Sequence, residues 1–100
     1  MGYFRTVTVC HLPERRAEGV QKLKEFCHLL NRFGATTEIC TNIIGGGSRI
    51  HVVSRFQTLA QFEALRAWAV TDATYQAWLQ SVQDLFDWSQ TQTHLYQVID

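Results

Sequence analysis

The order of hydrophobic and polar positions divides the chain into short alternating stretches and longer stretches with helical spacing. Positions 3 to 11, Tyr-Phe-Arg-Thr-Val-Thr-Val-Cys-His, are β-branched and aromatic and predict a strand. Pro13 follows, a residue suited to the first turn of a helix, and Val20, Leu23, Cys27 and Leu30 then recur at helical spacing with Phe26 and Phe33 beside them. Gly34 is a natural stop, so a first helix is predicted over 13 to 33. A second strand is expected over 36 to 44, ending in Ile43-Ile44, and a third over 48 to 56. Thr58-Leu59-Ala60-Gln61 fits a capping box that starts a helix running to Ala69. Val70-Thr71 interrupts that helix, and Asp72 is placed to cap another. In this last helix Tyr75, Trp78, Leu79, Val82, Leu85 and Phe86 fall on one face, the strongest periodic signal in the chain. A final strand is predicted over 90 to 99.

The resulting order is β-α-β-β-α-α-β, which a four-stranded antiparallel sheet with helices on one face accommodates. The expected class is α+β, of the βαββαβ kind, with its second helix broken near residue 71. Gly45-Gly46-Gly47 invites a phosphate-loop reading. A strand follows it rather than a helix, so no helix N-terminus is there to receive a phosphate, and a hairpin turn is the better reading.

Strand parity sorts the predicted sheet into two faces. One carries Val7, Val9, Ile39, Ile43, Ile50, Val52, Phe56, Leu95 and Ile99, an apolar surface for the helices to cover. The other carries Thr6, Thr8, Cys10, Glu38, Cys40, Asn42, Arg49, His51, Val53, Arg55, Gln92, His94 and Tyr96. That polar face is either wet, as on many antiparallel sheets, or enclosed against a second copy in a dimer. The pattern alone leaves these two readings even.

Composition narrows the function classes. One hundred residues make one domain, 1 to 100, and a domain this small is marginal unless its core is rich; here 46% of residues are hydrophobic. Nine basic residues balance nine acidic ones, which leaves no electrostatic footprint for nucleic acid or an anionic membrane. The densest basic cluster, Arg15-Arg16 with Lys22 and Lys24, is interleaved with Glu14, Glu18 and Glu25 and reads as a solvated helix face. No apolar run approaches the roughly 20 residues of a membrane span, and Met1-Gly2-Tyr3-Phe4-Arg5 lacks a signal pattern. Cys10, Cys27 and Cys40 are odd in number, form no CxxC and sit inside predicted elements, which suits reduced thiols and a cytoplasmic location.

Candidate chemistry gathers on the polar face. His51 and His94 share it, and histidine supplies a general base near neutral pH without tuning. Hydrogen-bonded imidazoles in a polar layer are the plainer alternative. His11 ends a strand and His28 lies on the first helix; no pair has the i, i+4 spacing of a helical metal site, and no metal is expected. Cys10 and His11 are strand neighbours that point to opposite faces, and no GxSxG occurs, so a cysteine or serine hydrolase is a poor fit.

The stretch from Arg49 to Leu65 and that from Thr71 to Leu79 resemble the dimeric α+β-barrel superfamily, in particular its NIPSNAP-like and antibiotic-biosynthesis-monooxygenase-like members. Those show a strand ending in an aromatic, then SLA-x-FE, then DP-x-aromatic-Q-x-aromatic. Phe56, Thr58-Leu59-Ala60, Phe62-Glu63, Asp72, Tyr75-Gln76 and Trp78 stand at these positions, with Ala73 in place of the usual Pro. The resemblance implies a ferredoxin-like protomer that pairs sheet to sheet as a homodimer. It also implies small molecules bound between the sheet and the broken helix, which makes Trp68 and Trp78 ligand-contact candidates as well as core aromatics. Haem-degrading relatives use an Asn on the first strand and a Trp and a His on the broken helix. Trp68 stands where their Trp lies, but Trp78 replaces the His and Arg5 to Cys10 holds no Asn, so that activity is not carried over.

Three functions follow. The first is a homodimeric small-molecule-binding protein, a cofactor-free enzyme of the oxygenase, cyclase or isomerase type on an aromatic or polyketide-like substrate. His51, His94 and Tyr96 would be its catalytic groups, and Arg49, Arg55, Trp68 and Trp78 its ligand contacts. The second is a non-catalytic dimeric interaction domain, with Glu38 paired to Arg49 or Arg55. The third is a haem-binding protein with a histidine as axial ligand. A cavity of roughly a few hundred cubic ångströms favours the first over the second, and a visible absorption band the third. No other cofactor is expected.

Overall fold

The computed structural model describes residues 2–99; Met1, where the N-terminal reading begins, and Asp100 lie outside the described residues. Strand β1 covers Tyr3–Cys10, helix α1 Arg16–Phe33, β2 Thr36–Thr41, β3 Arg49–Phe56, α2 Leu59–Thr71, α3 Ala73–Ser81, and β4 Gln92–Gln97, preceded by a short 3-10 turn at Trp88–Gln90. The strands form one antiparallel sheet in the order β2-β3-β1-β4. This is the α+β, ferredoxin-like arrangement, with the first and third strands central.

Local chemistry explains the helix boundaries. Gly34 ends α1 in a left-handed conformation (φ 116°), and its N–H donates to the carbonyls of Leu30 and Asn31. Thr58 and Gln61 form the capping box expected of them, each side chain accepting from the other's backbone N–H. Asp72 breaks the second helix. Its own N–H still donates to Trp68 O at 2.9 Å, but its backbone is extended, and its carboxylate accepts from Tyr75 N at 2.9 Å to start α3. The break re-aims the chain so that Tyr75 and Trp78 come down over α1 and the sheet.

The core lies between the sheet and the helices. Val9, Ile50, Val52 and Phe56 contribute from the sheet, Leu23, Phe26 and Leu30 from α1, Leu65 from α2 and Trp78 from α3. Trp78 stacks on Phe26 with ring centroids 4.7 Å apart, and its indole N–H donates to Lys22 O at 2.8 Å. This bond satisfies the polar end of an otherwise buried side chain.

The observed elements depart from the sequence expectations in four places. Pro13 belongs to a turn closed by Arg15 N donating to Leu12 O, with Glu14 left-handed (φ 64°), and α1 starts only at Arg16. Strand β2 stops at Thr41, leaving Ile43 and Ile44 99% and 90% exposed in the loop that Gly45 and Gly46 turn with positive φ. Helix α3 stops at Ser81, whose hydroxyl donates to Trp78 O, and Gln83 donates to Leu79 O, so side chains take up its last carbonyls. Val82, Leu85 and Phe86 are buried as expected, but from an irregular segment held to the end of β1 by Leu12 N to Leu85 O and Asp87 N to Cys10 O. Finally, β4 is exposed at every position, with Leu95 uncovered and Ile99 beyond its end, because the helix layer does not extend over that edge. No helix among the described residues is long and apolar enough to cross a membrane.

Candidate functional site

The strand registers confirm the parity of the two faces. On the open face Thr8 stands opposite His51, Thr6 opposite Val53 and His94, and Phe4 opposite Arg55 and Tyr96. Most polar groups here are engaged with one another. Arg55 donates to Glu38 at 2.6 Å, the ion pair expected across this layer. His51 Nδ1 lies 2.8 Å from Thr8 Oγ1, and its Nε2 hydrogen-bonds Asn42 Oδ1. With Asn42 oxygen as acceptor, Nε2 carries the hydrogen and Nδ1 accepts from the Thr8 hydroxyl. Gly46 makes this possible, since a Cβ there would stand 2.9 Å from Asn42 Nδ2.

The structure does not bring His51 and His94 together. They occupy β3 and β4 with β1 between them, and they face different residues of it, Thr8 and Thr6, so their backbones are roughly 11–12 Å apart. His94 and Tyr96 are exposed, with rings 6.0 Å apart, and Tyr96 stacks on Phe4 at 4.8 Å. Arg49 is exposed at the start of β3. Cys10 shares the parity of this face but is buried, 3.7 Å from Gln90 Oε1.

The covered face holds a different kind of site. A cavity of about 190 Å³ lies between β1 and β3 below and α1 and α3 above, with Trp88 and Thr93 also in its wall. Val7, Val9, Val52, Leu23, Phe26, Trp78, Leu79 and Phe86 make it largely apolar. Its ionisable side chains are Arg5 and Tyr75, with the Thr93 hydroxyl a further polar group in the wall. Arg5 reaches it because β1 places residue 5 on the same side as Val7 and Val9, opposite buried Ser54 on β3 and Leu95 on β4. Tyr75 reaches it from the first turn of α3, its ring 5.8 Å from Phe26 and 5.6 Å from Trp68.

Burial sets the electrostatics of this pair. It lowers the Arg5 pKa from the ordinary arginine value; the neighbouring Tyr75 acts against that shift, and the like charge of Arg66 adds to it. Burial likewise pushes the Tyr75 hydroxyl up, with Arg5 opposing. The Arg5 Nε is buried with no hydrogen-bond partner. The guanidinium lies 5.9 Å from the centre of the Phe62 ring, whose other cation is Arg66 at 5.8 Å.

Of the two tryptophans singled out from the sequence, Trp78 lines this cavity, and Trp68 lines a neighbouring groove of about 290 Å³ at the helix break, with Leu29, Phe33 and Asp72. Arg5 was missed, although the signal was present: a cation at an inward position of a strand whose neighbours Tyr3, Val7 and Val9 all face the core. Among the described residues no three of His, Cys, Asp and Glu gather in a group that would hold a metal ion.

The class this fold defines is the ferredoxin-like α+β protein with a broken second helix. Solved structures of NIPSNAP proteins share it over nearly the whole chain. A NIPSNAP domain protein from Burkholderia xenovorans superposes with a TM-score of 0.83 at 10% identity, covering 97% of this chain and 94% of its own. A NIPSNAP family protein from Agrobacterium tumefaciens gives 0.82 at 13% identity, covering 100% and 95%. A NIPSNAP-like domain protein from Burkholderia xenovorans gives 0.80 at 13% identity, covering 98% and 85%. At such identities the likeness is one of fold. No family model matches the chain, and no curated protein matches it by sequence.

Proposed function

We propose that the chain is a small-molecule-binding protein that takes one compact aromatic molecule into the cavity under α3 and works as a homodimer closed over its open sheet face. The observation that carries the ligand reading is the composition of the cavity: apolar and aromatic walls with a few polar side chains, Arg5, Tyr75 and Thr93, among them. Size refines it. An apolar cavity of about 150 Å³ accepts benzene, so about 190 Å³ suits one substituted ring rather than a fused polyketide or a haem. Among the lining residues Tyr75 is the ionisable hydroxyl, protonated at neutral pH like any tyrosine and so a hydrogen-bond donor to the ligand.

The dimer reading is supported by β4, exposed at all its positions with Tyr96 uncovered on the open face, and by the pairing of Glu38 with Arg55 within that face. On this reading His51, bonded at both ring nitrogens, holds the β2–β3 loop in place. A second reading puts a ligand in the polar space between two protomers. His94 favours it, because its imidazole has no hydrogen-bond partner among the described residues and stands beside Tyr96. Arg49 and Arg55 would then flank that ligand.

Titrating the protein with benzamide, a neutral single ring, tests the first reading. Trp78 and Trp88 line the cavity, so a saturable change in tryptophan emission is expected. A response that only rises linearly with concentration contradicts it.

A further inference from the structure

We propose that the natural ligand of this cavity is a compact planar monocarboxylate, its carboxylate held by the Arg5 guanidinium and the Tyr75 hydroxyl and its ring packed against Phe26 and Trp78. This rests on the cavity being the ligand site and adds the charge of what it binds.

The argument starts from an uncompensated charge. The ion pairs among the described residues are Arg15–Glu18, Lys22–Glu25 and Arg55–Glu38, and none involves Arg5. Its lateral neighbours in the sheet are Ser54 and Leu95, neither of them an acid. The Ser54 hydroxyl is engaged by Thr37, which donates to it at 3.1 Å. What lies near the guanidinium is the face of Phe62, and a cation–π contact offsets only a small part of the cost of taking a cation out of water. Arg66 adds a second positive charge at the same ring, which raises that cost. A folded chain that keeps a half-buried arginine in the wall of an apolar cavity, with no acid paired to it, is complementary to an anion it does not itself contain.

The chemistry of the two groups selects the anion. Guanidinium is planar and always charged, and it matches a carboxylate with two parallel hydrogen bonds. Arg5 is the one cation in the cavity wall, Arg66 lying outside it, and it balances one negative charge, which favours a monocarboxylate over a phosphate dianion. The tyrosine hydroxyl, protonated at neutral pH, supplies a further donor and no competing negative charge. The remaining walls offer hydrocarbon and aromatic rings, which suit a flat apolar body.

Binding of benzoate and benzamide, measured by calorimetry at neutral pH on the wild type and Arg5→Met, tests the inference. The two probes have the same shape and differ in charge. Wild type should bind benzoate at least about tenfold more tightly than benzamide, the scale of a charge-assisted hydrogen bond. Arg5→Met should retain benzamide and lose the preference. Equal affinities on wild type overturn the carboxylate inference and leave the aromatic cavity standing; failure of both probes overturns the cavity reading itself. A thermal melt without ligand gives an independent readout. Because Arg5 has no ion-pair partner and only the face of Phe62 beside it, Arg5→Met should melt close to wild type, and benzoate should raise the melting temperature of wild type more than that of the variant. A markedly lower melting temperature for ligand-free Arg5→Met would make Arg5 a structural residue and overturn the proposal.

Discussion

The two faces of the sheet use polar residues in opposite ways. On the open face polar side chains are numerous and mostly satisfied by one another: Glu38 by Arg55, His51 by Thr8 and Asn42. On the covered face they are few; Thr37 and Ser54 bond each other, and Arg5 is left over. Number of polar groups is therefore a poor guide to a binding site in this molecule. A network whose members complete one another builds structure, whereas a single unsatisfied cation among apolar walls marks a place where something else completes it.

The largest expected effect falls on the covered face. Trp78 is 8% exposed, stacked on Phe26 and bonded to Lys22 O, so Trp78→Ala should destabilise by about 3–5 kcal/mol in urea denaturation. An unchanged midpoint would remove Trp78 from the core and the cavity wall from the account. Next comes the open face. Glu38→Arg sets two like charges beside each other at Arg55, and sedimentation at micromolar concentration should show dimer dissociation strengthened by about tenfold or more, with the covered core intact. A monomeric wild type would show that the open face is simply wet.

Smaller effects sharpen the boundary between the faces. Asp72→Ala removes the cap that turns α3 over the cavity and should cost about 1 kcal/mol; no loss would mean that packing alone sets the break. Asp87 accepts from the Ser89 hydroxyl and amide and from Gln90, and the Ser89 and Gln90 side-chain bonds hold its pKa below the ordinary carboxylate value. A carboxylate with a lowered folded pKa contributes fully above the unfolded value and loses that contribution as pH falls through the folded one. Asp87→Asn should therefore lower the melting temperature slightly at pH 7 and make no difference in strong acid. A deficit that persists unchanged into acid would assign the effect to shape rather than charge.

What was legible in the sequence was local. Thr58 and Gln61, Asp72 and Gly34 set helix ends through bonds within a few residues, and strand alternation sorted the two faces. What was not legible depends on distant partners. Val82, Leu85 and Phe86 keep helical spacing, yet the chain leaves the helix there, Leu85 O accepting from Leu12 N and Asp87 N donating to Cys10 O, partners far away in sequence. Ile43 and Ile44 have strand propensity, but β3 begins only at Arg49, so nothing pairs with them. The inward position of Arg5 was visible, whereas the absence of an acid near it and the arrival of Tyr75 from the broken helix required the fold.

Val52 and Val53 are neighbours on β3 that face opposite sides, Val52 into the cavity and Val53 onto the open face. Methyl NMR of the valine-labelled protein titrated with benzoate therefore reads directly which side holds the ligand. The account predicts saturable shifts at the methyls of Val7, Val9 and Val52, with Val53 unmoved. Shifts at Val53 with Val52 silent would contradict it.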